Sequence, residues 1–246
     1  MLAVVLGAFT LGAMAGELVV AVTPMSKPFS YTGEQGELSG FNVDMGRAIC
    51  QKLGEHCRFE TMAFPAIVPA VAAGRADIGI ANFLKTPERE AQVAFTVPYW
   101  RSTSSFVGPG GTALRDAGDA MRRLRVCVID GSLQQAFLRS LPADGGGALV
   151  SMSSNQAVLD QLRVGRCQAA LLPTMQALPF LQSPEGRGFS FLGAPLAQEG
   201  LGGSVHMLVR PDDPGLLHRV NEAIQELIRD GGHERASRRY FPFSIL

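Results

Sequence analysis

The sequence predicts an α/β protein folded as two lobes with a cleft between them. Three observations point to this. Strand-like and helix-like runs alternate over about residues 17–105 and again over 106–205, the pattern of sheets built mostly from parallel strands. The chain of 246 residues is 46% hydrophobic and 18% charged, which suits a globular chain with a sizeable core and not a disordered one. Near the C-terminus, Leu216, Val220, Ile224, Leu227 and Ile228 share one face of an amphipathic run, so that helix must pack back on a sheet. Two α/β lobes usually leave a cleft at the carboxyl ends of their strands, where ligands bind.

Local signals justify each element in turn. "ELVVAV" is a short apolar strand, and "FSYTGEQGELSGF" a turn-rich hairpin broken by Gly33, Gly36 and Gly40. "NVDMGRAICQKLG" is an amphipathic helix ending at Gly54. "CRFETMAF" is a strand, "FPAIVPAVAAG" a short helix stopped by Gly74, and "ADIGIA" a buried strand. "TPEREAQV" starts a helix, with Thr86 as N-cap, Pro87 at the first helical position and Glu88 as an acid in the first turn. "LRVCVIDG" is a strand entering a glycine turn, and "SLQQAFLRSL" a helix capped by Ser132. After the loose "ADGGGA" loop come a strand "ALVSM", a helix "NQAVLDQLRVG" capped by Asn155, and a strand "CQAALL". A strand "VHMLVR", the turn "PDDPG", the long helix "LLHRVNEAIQELIRDG" and a helical "HERASRRYF" complete the chain. No internal repeat is evident.

Lys plus Arg equals Asp plus Glu at 22 each, and no basic stripe with interleaved aromatics occurs, so nucleic acid is not an expected partner. The short basic runs at Arg122–Arg125 and near the C-terminus read as solvated helix faces. The first 15 residues, "MLAVVLGAFTLGAMA", are apolar and end in a small-x-small site, which reads as the remnant of a signal peptide and implies export. The other reading is a buried N-terminal helix. Four cysteines are present. Cys50 and Cys57 stand at a helix end and the following strand, a spacing that suits a disulfide in an exported protein. No second Cys or His pair completes a metal site, and no metal or cofactor is expected. Cys127 and Cys167 lie in strand-like runs and are either free buried thiols or a second bridge.

The runs "KPFSYTGEQGELSGFNVDMGRAICQKLG", "AIVPAVAAGRADIGIANFLKTPEREAQVAFTVPYW", "VCVIDGSLQQAFL", "VGRCQAALL" and "LVRPDDPGLLHRVNEAIQELIRDGGHERASRRYF" occur in one order along the chain. Together they resemble the periplasmic solute-binding proteins of amino-acid ABC transporters, the bacterial extracellular family 3. The likeness runs from Leu18 to Phe241, and the Cys50–Cys57 spacing is similar to the disulfide of the histidine- and basic-amino-acid-binding branch. The resemblance implies a type II binding-protein fold. Lobe 1 would comprise residues 16–105 plus 206–246 and lobe 2 residues 106–205, with two crossover strands as the hinge. It also implies a monomer whose closure on a ligand is read by a membrane permease.

Site residues follow from the same resemblance. Arg89, in the T-P-E-R run, matches the arginine that binds the ligand's α-carboxylate, and a guanidinium offers a carboxylate two parallel charge-assisted bonds. Asn82 and Leu84 stand where small hydroxyl residues bracket that carboxylate. Asn82 keeps hydrogen-bonding capacity, whereas Leu84 offers only backbone. Phe64 is either a stacking surface under the ligand or plain core. Ser26 stands where a second aromatic lid is common. Ser132 is either a ligand contact or only a helix cap, and its neighbour is Leu133 where a second hydroxyl is expected. Pro173 replaces the aspartate that meets the ligand's ammonium. Asp130 is then either the substitute acid or an exposed turn residue. His206 lies near the second hinge, with a structural role favoured over cleft lining.

These departures predict a ligand less polar than histidine or arginine: a neutral amino acid, a derivative or an organic acid. A sensor or an accessory protein for a periplasmic redox enzyme is the second reading. A cyclohexadienyl dehydratase-like enzyme is the third, weakened because such chemistry needs a positioned acid.

Overall fold

The computed structural model describes residues 17–142, 144–197 and 200–246. The apolar run read as a signal-peptide remnant lies outside the described residues. Strands β1 (Leu18–Val22), β2 (Met25–Ser26), β3 (Ser30–Thr32) and β4 (Leu38–Ser39) lead into helix α1 (Phe41–Leu53). Then come β5 (Cys57–Thr61), α2 (Phe64–Ala72), β6 (Ile78–Phe83), α3 (Pro87–Glu90), β7 (Ala94–Phe95) and β8 (Trp100–Ser102). The middle of the chain forms β9 (Ser104–Pro109), α4 (Ala117–Arg123), β10 (Arg125–Ile129), α5 (Leu133–Ser140), β11 (Ala148–Met152), α6 (Asn155–Arg163), β12 (Ala169–Pro173), α7 (Thr174–Gln182) and β13 (Phe189–Leu196). The chain returns through β14 (Gly203–Val209), α8 (Pro214–Arg229) and α9 (Gly232–Ser237).

One sheet has the order β5-β1-β6-β14-β7, with β8 also on β14, and a second has the order β11-β10-β12-β9-β13. As the alternation predicts, β1 is parallel to β5 and β6, and β10 to β11 and β12. The crossover strands differ: β9 runs antiparallel to β12, and β14 antiparallel to β6. Each enters its sheet from the other lobe, so it starts near where its antiparallel neighbour ends. Ser104 at the start of β9 thus faces Pro173 at the end of β12, and His206 faces Phe83 at the end of β6. This brings the carboxyl ends of β6 and β12 to the same side of the molecule as the hinge.

Helix ends follow the chemistry of their residues. Gly54 closes α1 in the left-handed conformation, φ 68°, which glycine adopts without steric cost. Thr86 accepts a hydrogen bond from the Arg89 N–H and caps α3, a single turn. The cap of α6 is Ser154, which accepts from the Ala157 N–H, and not Asn155; Asn155 is the first helical residue and is buried. The final helix stops at Ser237. On α8, Leu216, Val220, Ile224 and Leu227 are buried in one core with Met45 and Ile49 of α1, and Ile228 packs at its edge. Such side chains contribute about 1.5–3 kcal/mol each on burial. In the same core Phe29 stacks on Trp100 with ring centroids 4.7 Å apart, and Phe41 lies parallel to Tyr99 at 5.9 Å. Cys50 and Cys57 are bridged, Cα atoms 6.1 Å apart, and Cys127 and Cys167 form the second bridge with Cα atoms 5.8 Å apart. That second bridge ties β10 to the start of β12.

Candidate functional site

A cavity of about 180 Å³ opens between the two sheets, lined from one side by residues of β2, α2 and β6 and from the other by the ends of β10 and β12 and the starts of α5 and α6. Arg89 reaches it from α3. One guanidinium nitrogen donates to the Leu84 carbonyl at 3.0 Å, and the other terminal nitrogen to the Gly131 carbonyl across the cleft at 3.2 Å. The guanidinium carbon lies 5.6 Å from the Phe64 ring centre and 5.5 Å from that of Phe83, two faces that favour a cation. Those rings stack on each other at 5.0 Å, so Phe64 is both a packing residue and cavity lining. Burial lowers the Arg89 pKa, yet a guanidinium stays charged in proteins. Of its five N–H groups, two are engaged by these carbonyls.

Asn82 sits on β6 at φ 63°, a left-handed conformation that asparagine tolerates better than other side chains. Its Oδ1 accepts from Asn42 Nδ2 at 3.0 Å. The Tyr99 hydroxyl is 2.8 Å from Asn42 Oδ1 and 3.2 Å from Asn82 Oδ1. Asn42 and Tyr99 are almost fully buried, and burial raises the Tyr99 pKa, so its hydroxyl stays a donor. This network occupies the oxygen of Asn82 and leaves its Nδ2 as the donor available at the cavity. Leu84 acts through its carbonyl, which steadies Arg89.

Across the cleft, Gly131 has φ 68°, and a Cβ there would meet Pro65 Cβ at 2.9 Å. Glycine at this turn therefore lets the lobes touch. The Ser132 hydroxyl donates to the Ile129 carbonyl at 2.6 Å and accepts from the Gln135 N–H at 3.1 Å. It is a helix cap with its hydrogen already used. Leu133 gives the cavity an apolar wall and Gln134 a polar one; Gln134 also donates to the Ser104 hydroxyl on β9 at 2.8 Å.

Asp130 does not line the cavity, which corrects the expectation of a substitute acid. Side chains alternate along a strand. Ile129 faces the cavity, while exposed Asp130 accepts from Gln135 Nε2 at 2.7 Å on the other side. Among the described residues the lining carries no carboxylate, and Arg89 is its one charged side chain. Pro173 lines the cavity as an apolar group. Ser26, in the place of the expected aromatic, accepts a hydrogen bond from Gln176 Nε2 at 2.6 Å across the cleft. His206 lies outside the lining, buried, its Nδ1 against the Thr96 carbonyl at 2.7 Å. Because a carbonyl only accepts, Nδ1 carries the proton.

Sequence reasoning missed Asn155 and Gln176, both buried and both lining the cavity. The sequence places Asn155 at a cap position and gives no helix over Thr174–Gln182. The available signal was Asn155 itself, an amide on a helix face whose other buried residues, Val158, Leu159 and Leu162, are apolar.

Two α/β lobes, linked by two crossovers around a cleft the size of a small solute, define a periplasmic-binding-protein-like fold of type II. The chain belongs to the bacterial extracellular solute-binding proteins, family 3, whose model matches residues 18–243. The lysine/arginine/ornithine-binding periplasmic protein of Escherichia coli (strain K12) is 27% identical to it over 220 residues, 89% of this chain and 85% of that protein. A solved structure of an ancestral arginine-binding protein bound to arginine has a TM-score of 0.85 at 28% identity, covering 93% of this chain and 99% of that one. An ancestral amino acid-binding protein described as a precursor of cyclohexadienyl dehydratase shares the fold, with a TM-score of 0.81 at 23% identity over 92% of this chain and 96% of that one.

Proposed function

We propose that the chain captures a small carboxylate-bearing solute, an amino acid or a derivative, in this cleft and delivers it to an ABC permease of the inner membrane. It works in the periplasm as a monomer, lobe 1 comprising residues 16–105 plus 206–246 and lobe 2 residues 106–205. The observation that carries this reading is Arg89: a cation held over two aromatic rings, braced by two carbonyls, in a lining without a carboxylate among the described residues. A buried cation of that kind is completed by an anion. Asn82 supplies a neighbouring donor, and the relatives' names point to amino acids. Turnover of the dehydratase kind is disfavoured because no acid stands in the lining among the described residues.

Mass spectrometry of co-purified solute, followed by a thermal-shift screen of amino acids and organic acids, identifies the ligand class. A ligand at a hundred times its Kd stabilises by about 2.7 kcal/mol. Titration calorimetry with Arg89→Ala then decides the anchor: affinity falls by roughly 2–5 kcal/mol. Unchanged affinity sinks the proposal.

A further inference from the structure

Two buried side-chain oxygens of residues that line the cavity have no partner. Asn155 is 3% exposed and Gln176 5% exposed. Asn155 Nδ2 donates to the Gln176 main-chain carbonyl at 3.2 Å. That carbonyl can only accept, so the amide cannot be reversed, and its Oδ1 is turned away and unpartnered. Gln176 Nε2 donates to Ser26 Oγ at 2.6 Å, and its Oε1 is likewise unpartnered. The Ser26 hydroxyl is able to donate as well as accept, so Asn155 is the firmer of the two. Buried carbonyl oxygens in native proteins almost always meet a donor. Both of these residues line the cavity that holds Arg89.

We propose that Asn155 and Gln176 form the subsite for a neutral hydrogen-bond donor of the solute. The solute is then a monoanion with a carboxylate and an O–H or N–H group, a 2-hydroxy acid or an N-acylated amino acid, and not a free zwitterion. This rests on the reading of Arg89 as the carboxylate anchor. The charge balance selects it. One ligand carboxylate neutralises Arg89, the single charged group of the lining among the described residues. An ammonium would then be desolvated with no counter-charge, which is costly, whereas a neutral donor needs only an acceptor. Amide oxygens supply that acceptor, and they do so where Pro173 removes the acid expected by the family resemblance.

The test is titration calorimetry with matched triplets over three side-chain sizes: alanine, lactate and propionate; leucine, 2-hydroxy-4-methylpentanoate and 4-methylpentanoate; phenylalanine, 3-phenyllactate and 3-phenylpropanoate. N-acetyl-leucine and N-acetyl-phenylalanine are added. In the best-fitting series the hydroxy or N-acetyl acid binds at least about tenfold tighter than both the amino acid and the plain acid. Asn155→Leu removes the advantage over the plain acid. Gln176→Glu, which keeps a partner for the Ser26 hydroxyl, shifts preference toward the amino acid by a similar factor. Thermal unfolding checks that each variant folds; if Asn155→Leu does not, Gln176→Glu decides. Tightest binding of the amino acid, with loss in Arg89→Ala, overturns this inference and leaves the carboxylate reading standing. Binding of no probe in any series, with the Arg89→Ala variant indistinguishable from the parent, overturns both. A preference untouched by Asn155→Leu and Gln176→Glu means that ordered water satisfies these oxygens, and the proposal fails.

Discussion

Replacing Tyr99 by phenylalanine removes one hydroxyl and keeps the ring that lies against Phe41. That hydroxyl is the donor to Asn42 Oδ1 at 2.8 Å, in a residue 1% exposed. Asn82 Oδ1 keeps its bond from Asn42 Nδ2 at 3.0 Å, so one acceptor is orphaned. Leaving a buried acceptor unsatisfied costs about 1–3 kcal/mol. For a chain of this size that corresponds to a fall in Tm of roughly 2–12 °C, at about 2–4 °C per kcal/mol. Chemical denaturation of Tyr99→Phe, Asn42→Leu and the double variant forms a cycle. Because the two groups share one network, the double variant loses less than the sum of the singles. A Tyr99→Phe variant within about 0.5 kcal/mol of the parent, or an additive cycle, would refute the assignment of Tyr99 as the support of Asn42 and Asn82.

The two disulfides close loops of different length, 7 residues for Cys50–Cys57 and 40 for Cys127–Cys167. Chain-entropy arithmetic then gives about 2.4 and about 3.9 kcal/mol, so the double-alanine variant of the second bridge unfolds at lower urea than that of the first; the reverse order contradicts the model. Burial lowers the pKa of His206 and His233 from 6.5. The unfolded chain therefore binds protons first, and the histidine contribution to stability is full above about pH 6.5 and is lost as pH falls below it toward the folded values. Tm measured from pH 7.5 to 5 declines less steeply in a His206→Gln/His233→Gln variant; an equally steep decline removes the histidines from the explanation.

Much of the frame was legible because its signals are local. The cap at Thr86, the stop at Gly54 and the apolar face of α8 each lie within a few turns of chain, where sequence and conformation correspond directly. Strand direction does not: β9 and β14 are antiparallel because of where the chain comes from, which no window of residues records. Helix α7 was hidden by Pro179 inside it and by the lack of a side-chain cap, and β13 by Gly193 and Pro195 within its run. Among the site residues, Asn82, Leu84 and Arg89 stand in one contiguous stretch of motif with Phe64 just before it, and all four share the cavity. For Asp130 the sequence leaves two readings open, because nearness to a turn says nothing about which face a side chain takes; the structure shows the exposed turn residue. Asn155 and Gln176 lie 21 residues apart in the chain, and only tertiary packing gives the pair a meaning.

The backbone at Asn82 also bears on how this protein can change over generations. At φ 63° the residues that fit without strain are glycine, asparagine and aspartate. Glycine would delete the donor. Aspartate would set an acid in the cavity and compete with the solute for Arg89. Serine and threonine, which the resemblance places at this position, would first require the strand to reshape. Asparagine is thus locked in by its own conformation, and drift in solute preference is channelled to Leu84, Leu133 and Pro173, where no such backbone condition applies.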